Sequence, residues 1–585
     1  MPLPALLHAL PLALTLALQP ASASQSFAMR RTAGTSPDSA RVLKSARSAQ
    51  WDFESTRRAN LPLNTRGTAG RCDVHVGRFC YWWDDGEYEP PPELPKTKAA
   101  RRSLLDRLAK AAALQPGDRW IAGQRVRYLV EDDRAQDAVQ AARECRAEPS
   151  WCAVLEGLAL HAAGDYGRAD SAFSAGLAAM SEKDRCRWTD ISLLLEGDAR
   201  KRYERLACAD RGAFESRFWA LARPLYLLPA NDLRTEHFAR LTMAELLRIA
   251  RYPHDMPWGD DSRELLIRYG WETAWSRELP SVSSPMDVHV VGHEPTPAFD
   301  FVPDAAALAT PDSLDASDWS LHDREAQSRY APRYARSVGA LDHQVAMFRR
   351  GDSAVVIAAF DARRDSVFAH DSIAAAVAIA PAATPESAHV VSDSAARRRA
   401  VLTAAAAWGP LIVSVEARDS AARRVARART IVRPPSAEGR ITISDLLLFD
   451  DPGTLPESLA DATARARGSM RVERTAPVGV YWELYGVPPE GEALSFTLTV
   501  TRNGESWYRR AAEKLGVVDR RAPVYMQWDE PPTRVAASRS RALAVDFSTL
   551  PEGRYRVELR VEGGGETTAM ATRVVEVTEA VGRRP

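Results

Sequence analysis

Apolar residues follow a helical spacing through the first half of the chain and an alternating one through the second. From about Leu104 they recur every three to four positions, as an amphipathic helix requires. In "WCAVLEGLALHAAGDYGRADSAFSAGLAAM" Ala169, Phe173 and Leu177 fall on one face, and Gly164-Asp165-Tyr166 ends one helix and starts the next. Between Phe214 and Gly270 the pattern predicts helix, proline-containing loop, helix, loop and a short strand over Glu264–Tyr269. Asn231 stands where it can cap the second of these helices. Phe218 on the first and Phe238 on the second give matching aromatic faces, with Trp271 expected to be buried against them. Beyond Pro285 the period becomes two. "HQVAMFRRGDSAVVIAAFDA" predicts two strands around Arg350-Gly351-Asp352, and "SIAAAVAIA", "AVLTAAAAW", "LIVSVEAR" and "RVARARTIV" predict more. Alanine makes helix a competitor at 372–380 and 400–408.

A second β unit follows "ISDLLLF". In it "GVYWELYGV", "LSFTLTVTR", "ALAVDFSTL" and "GRYRVELRVE" alternate, and Tyr555, Val557, Leu559 and Val561 share a sheet face. The predicted class is multidomain α then β: a helical-repeat half followed by antiparallel, immunoglobulin-like β-sandwiches. The antibody cysteine framework is absent, because no cysteine lies beyond Cys208. Expected boundaries are a signal peptide at 1–23, a disordered linker over 24–100, helical repeats over 101–212, an α/β segment over 213–282, and sandwiches over 283–438 and 439–585. Residues 24–70 are read as linker because they are rich in Ser, Arg, Thr and Ala with little apolar periodicity. The linker region is expected to hold a small Cys72–Cys80 hairpin and a stiff spacer across Pro90–Pro95.

The helical repeat has an offset of 31 residues, matching Trp120 with Trp151, Leu129 with Leu160 and Ala138 with Ala169. Gly157, Gly164, Tyr166, Ala169 and Phe173 stand as in a tetratricopeptide repeat, which this stretch resembles over about 60 residues. Two copies cannot bury a solenoid core, so a third pair or another domain must cover them. Downstream, Phe218-Trp219, Pro224, Asn231, Glu236-His237-Phe238 and Arg240, followed by an Asp-Arg-strand-Tyr-Gly element, resemble the GWxTD-type domain. That resemblance implies an exported bacterial protein and supplies no mechanism. The chain departs from the motif in two places: Trp258-Gly259-Asp260-Asp261 reverses its first pair, and Gly270-Trp271-Glu272-Thr273-Ala274 carries four of its five letters after the strand.

Charge and composition add location. Basic and acidic residues balance at 77 each, so overall charge provides no pull toward nucleic acid. Only seven of the basic residues are lysine. Leu12–Leu18 followed by Ala21-Ser22-Ala23 reads as a secretory signal, although no Lys or Arg follows Met1. No later run is long and apolar enough to span a bilayer. An exported location, periplasmic or extracellular, favours disulfides among Cys72, Cys80, Cys145, Cys152, Cys186 and Cys208. They form three local pairs in chain order, and none has CxxC spacing.

Candidate chemistry is sparse. Walker-type, HExxH and GxSxG motifs are missing, and no cofactor is expected. His289 and His293 are spaced as metal ligands on a strand, yet no third ligand is evident. Glu236-His237 could do acid–base work, but a helix-surface pair is the simpler reading. Tyr81, Trp82 and Trp83 form one aromatic group and Trp258, Trp271 and Trp275 a second. Each can hold a ligand or pack against a neighbouring element, and packing is the expectation for both. The leading expectation is a non-enzymatic interaction scaffold of the bacterial envelope that binds another envelope protein. The alternative is a secreted hydrolase or carbohydrate-active protein with an aromatic-lined cleft.

Overall fold

The computed structural model describes residues 37–579 except 65–71, 83–88, 279–289, 310–314, 324, 364–367, 369, 371, 436–440, 476, 488–492, 504–523, 533–537 and 564–565. The expected signal peptide and Trp83 lie outside the described residues. Helix α1, Pro37–Ala59, occupies what was expected to be linker. Its buried side is made of Ala46, Ala49, Gln50, Phe53, Glu54 and Arg57, spaced three to four apart. The helical period is present, but small and charged residues carry most of it, so hydropathy does not reveal it. A hairpin of β1, Val74–Val76, and β2, Phe79–Tyr81, follows and is closed by Cys72–Cys80. Helix α2, Pro95–Leu114, begins at the last proline of the spacer. Proline suits that first-turn position because its missing N–H would have no helical partner there.

The repeats are α3, Arg119–Glu131, with α4, Ala135–Arg143, and α5, Pro149–Ala162, with α6, Tyr166–Ala178. Asp118 and Asp165 cap α3 and α6 through their side chains. A Cβ on Gly157 would lie 2.7 Å from the Phe173 ring, so glycine is what allows α5 and α6 to close up. The pair α1/α2 packs against α3, and α10 packs against α5. The two repeats are therefore covered by a third helical pair and by the following segment. Cys145–Cys152 staples the turn between the repeats, with Cα atoms 5.6 Å apart, and Cys186–Cys208 ties α7, Glu182–Thr189, to the turn after α8, Gly197–Glu204.

Next come α9, Gly212–Ala222, α10, Asp232–Arg248, and α11, Asp260–Tyr269. The last corrects the expected strand at Glu264–Tyr269. A short apolar run does not declare its own period, and here Asp260 and Asp261 open a helical turn that Ser262 helps to cap. The strand lies further on: β3, Ala274–Arg277, pairs antiparallel with β4, Val290–His293. A short helix α12, Ala305–Ala309, leads toward the β half.

The first sandwich contains β5, Ser337–Ala340, β6, His343–Arg350, β7, Ser353–Asp361, β8, Ser372–Pro381, β9, His389–Arg397, β10, Arg399–Ala407, β11, Leu411–Asp419, and β12, Arg424–Val432. Its sheets run β10-β7-β6 and β5-β12-β11-β8-β9. Both alanine-rich segments are strands, because their alternate alanines fill the space between the sheets. The outer face of β11 and β12 packs on the helical half. There Arg429 donates to the Leu221 and Arg223 carbonyls at 2.9 Å each, Arg427 donates to Pro224 O at 2.9 Å, and Glu416 accepts from Tyr226 N at 2.7 Å.

The second sandwich begins with β13, Thr442–Ile443, β14, Leu447–Phe449, a short helix α13, Leu459–Ala464, and β15, Arg471–Glu473. It continues with β16, Val478–Tyr485, β17, Leu494–Arg502, β18, Val524–Glu530, β19, Ser538–Val545, β20, Gly553–Gly563, and β21, Glu566–Thr578. Strand β16 carries β13 and β14 on one side and β19 on the other, opposite a sheet ordered β15-β21-β20-β17-β18. Tyr555, Val557, Leu559 and Val561 all point into the core. This domain also seals edge strand β6 of the first sandwich. Asp445 accepts from Met347 N at 2.9 Å, Arg573 donates to Val345 O at 2.8 Å, and the Tyr485 hydroxyl accepts from Arg349 N at 3.0 Å. An open edge is a template for pairing with other chains, and here neighbouring side chains occupy it.

Candidate functional site

The GWxTD-like residues turn out to hold the frame. Asn231 caps α10 by accepting from Arg234 N, and it donates to Trp219 O at 2.6 Å. Arg240 binds Glu236 at 2.6 Å and donates to the Ile267 and Arg268 carbonyls, which satisfies the C-terminus of α11. It also reaches Arg329 O at 2.8 Å. Gly270 then turns the chain at φ +92, and a Cβ there would crowd the Arg240 guanidinium at 3.3 Å. His161 completes the clamp, with Nε2 at 2.7 Å from Glu236 and Nδ1 at 2.9 Å from the Thr235 hydroxyl.

The Glu236-His237 pair is thereby separated. Glu236 is spent in the clamp. His237 is buried beside the Trp219 ring, with no hydrogen-bond partner on either ring nitrogen, and burial lowers its pKa to about 3. Of the two candidate metal histidines, His289 lies outside the described residues. His293 bonds the buried Ser276 hydroxyl at 2.7 Å. Among the described residues, no group of three or more His, Cys, Asp or Glu is placed to hold a metal.

Past Gly270 the chain builds an aromatic cleft. Trp258 from the α10–α11 loop, Trp271 from the segment entering β3, Trp275 on β3 itself, Tyr252, and Phe79 from the disulfide hairpin surround a cavity of about 60 Å³. Met243, Leu247, Leu265 and Leu266 complete its apolar wall, and Glu131, His254 and Glu272 supply its polar end. Trp258 and Trp271 are half-buried and pack on the core that contains Phe218 and Phe238. Trp271 thus packs against the core it was expected to meet, but it is half-buried rather than buried. It both packs on that core and borders the cleft.

The hairpin is docked by Arg78. Its guanidinium meets Asp261 at 2.6 and 2.8 Å and Pro257 O at 3.0 Å. The hydrogen bonds from Arg78 hold the Asp261 carboxyl well below the usual carboxylate range. Tyr81 stacks on Tyr269 with centroids 3.9 Å apart, and burial raises its hydroxyl pKa to about 12. Tyr81 thus anchors the hairpin and is not among the residues lining the cleft, while Trp82 beside it is half-buried.

At the polar end, His254 Nε2 lies 2.8 Å from each Glu272 oxygen, and Trp275 Nε1 donates to Glu272 at 2.6 Å. Burial by itself would lower His254, but the Glu272 carboxylate outweighs it and the imidazole pKa is raised. Burial works to raise Glu272, and the same pairing overcomes it, so Glu272 is lowered. Behind Trp275 sits Arg57, 4.7 Å from the ring centroid. Arg57 and Arg127 hold Glu54 and Glu131 in a buried network that also takes in the Tyr128 hydroxyl, 2.5 Å from Glu54. Sequence reading identified the three tryptophans of the cleft and missed Phe79, Tyr252, His254 and Glu272. The available signal was the aromatic and proline density of "RYPHDMPW".

No protein-family model matches the chain, and no curated protein matches it. Among solved structures, the FN1–FN3 domains of chicken CNTN1 align at 10% identity over 43% of this chain and 70% of that one, with a TM-score of 0.15. Red sea bream transglutaminase aligns at 12% identity over 44% and 37%, with a TM-score of 0.13. Bacteroides uniformis β-glucuronidase aligns at 9% identity over 38% and 26%, with a TM-score of 0.15. With TM-scores this low, none of the three bears on fold or activity.

Proposed function

We propose that this protein is an exported, non-enzymatic interaction scaffold of the bacterial envelope and that the aromatic cleft is where it recognises a protein partner. The observation that carries the reading is the half-open cleft itself. Five aromatic residues from three separate segments border one small cavity, and its ionisable groups are engaged with one another. Half-buried tryptophans such as Trp258, Trp271 and Trp275 are of the residue type that dominates protein interfaces. The sealed β6 edge and the buried arginines between the helical half and the first sandwich support a stiff frame for such a site. Three disulfides are in keeping with export. Among the described residues, no helix is long and apolar enough to cross a membrane. The tetratricopeptide-like repeats and the GWxTD-type resemblance belong to the same reading.

The alternative, a secreted hydrolase or carbohydrate-active protein, draws on the His254–Glu272 pair and the aromatic lining. The Ser276–His293 pair is fully buried and offers no accessible nucleophile. The test is affinity capture from an envelope extract with wild type and with Trp271→Ala, followed by mass spectrometry. A partner retained by wild type and lost by the variant is the expected result. Capture that is indifferent to Trp271 and Trp258 would remove the cleft from the proposal.

A further inference from the structure

The polar end of the cleft differs from every other ion pair around it. Glu131 is held by Arg57 and Arg127, Asp261 by Arg78, and Asp255 by Arg58 and Arg251. Arginine stays charged at any pH the protein meets. Glu272 instead faces a histidine, His254, and an indole N–H. When His254 is neutral, Glu272 sits at the end of an aromatic cavity without a counter-charge. Its lining suits one: Leu247, Leu265, Leu266, Trp258 and Trp271 border the same cavity as the Glu272 carboxylate.

We propose that the cleft receives the side chain of a lysine from the protein partner, its aliphatic stem along the leucines and its ammonium on Glu272 in place of the His254 proton. The inference rests on the reading of the cleft as a partner-recognition site. An ammonium is a compact point charge on a flexible stem, whereas the planar fork of arginine needs more width. Aromatic faces attract such a cation, most strongly where water is excluded. The exchange is balanced: imidazolium gives its proton to solvent, the ammonium keeps its own, and Glu272 remains a carboxylate throughout. The other groups facing Glu272 and His254 are accounted for. His293 on β4 is bonded to Ser276. Arg57 behind Trp275 is neutralised within the Glu54–Arg127–Glu131 network. Arg58 is shared with Asp255 at the loop surface, and Tyr252 is uncharged in this range because burial raises its pKa.

The test uses the full chain with n-butylammonium as the lysine side-chain probe and n-butanol as its neutral counterpart. Binding is followed by calorimetry and by the indole N–H resonances of Trp258, Trp271 and Trp275. Butylammonium is expected to bind more tightly at pH 8.5 than at pH 6, because protonated His254 competes for Glu272 at the lower pH. It should release protons in buffers of differing ionisation enthalpy, while butanol binds weakly and without pH dependence. Glu272→Gln should abolish the preference for the cation. His254→Gln should keep it and remove the pH dependence, which preserves a test if the first variant fails to fold. Equal binding of butanol and butylammonium, or binding of neither at tens of millimolar, overturns the proposal. If Trp271→Ala still loses a captured partner in that case, the scaffold reading stands and only the lysine is withdrawn.

Discussion

The α1–α3 seam and the core of the second sandwich both bury large aromatics, but they surround them with opposite chemistry. At the seam, Phe53 and Tyr128 lie edge to face with centroids 5.3 Å apart, and Arg57, Arg127, Glu54 and Glu131 fill the space around them. In the sandwich, Trp482 and Phe496 are enclosed by Leu498, Val500, Leu559 and Val561, all almost fully buried. An apolar core tolerates loss of one member by forming a cavity. A buried ionic network does not, because removing one partner leaves the other's charge uncompensated in a medium that solvates it poorly. The seam should therefore be sensitive to the identity of each charge, and the sandwich only to volume.

The strongest challenge to that contrast is Arg57→Ala. It leaves Glu54 and Glu131 with one cation between them and should cost about 3–5 kcal/mol in denaturant unfolding. Arg57→Met with Glu54→Met should recover much of this, since a well-packed apolar replacement can be neutral. If both variants are equally unstable, the seam is held by volume and the contrast fails. In the sandwich, Leu559→Ala should cost about 2–4 kcal/mol, and by about the same amount at pH 5 and pH 8, as the residues it clusters with are apolar.

A smaller, pH-dependent effect is expected at Asp232. It is fully buried at the start of α10 with the Tyr334 hydroxyl 2.9 Å away, and burial raises its pKa to about 7. Between its ordinary value near 3.8 and about 7, the folded state binds more protons than the unfolded one. Stability contributed by protonated Asp232 is thus complete at low pH and is lost as pH rises through that window, by at most about 1.4 kcal/mol per pH unit. Asp232→Asn should gain in melting temperature relative to wild type from pH 5 to pH 7 and level off above. His237 has the reverse sign. Its neutral form is buried, so stability falls as pH drops below about 6.5 toward about 3, and His237→Leu should flatten that limb of the acid-melting curve.

The smallest effect on global stability belongs to Arg78→Ala, because Arg78 is exposed and its ion pair is screened by salt. The melting temperature should hold, while amide exchange in Val74–Tyr81 accelerates as the hairpin leaves Asp261. Unchanged exchange would show that the Tyr81–Tyr269 stack alone docks it.

Where burial and hydropathy coincide, the chain announces its own structure. The alternating strands β17 and β20 are legible because a sheet with one face inward needs period two. The repeat at Trp120 and Trp151 is legible because two helical hairpins bury equivalent residues. Asn231 and the local pairing of cysteines belong to the same class, since the physics that places them lies within a few residues. Helix α1 was hidden because its buried face uses Ala46, Ala49, Glu54 and Arg57, which become core residues only when α2 and α3 supply partners for them. Helix α11 was hidden because a short apolar run suits either period until Arg240, contributed by another helix, satisfies its last carbonyls. The cleft is a product of tertiary structure throughout. Phe79, Trp258, Trp271 and Glu272 are far apart in the chain or differently disposed along it, and the cavity between them exists only once the hairpin is docked on Asp261 and Gly270 has turned the chain away from α11.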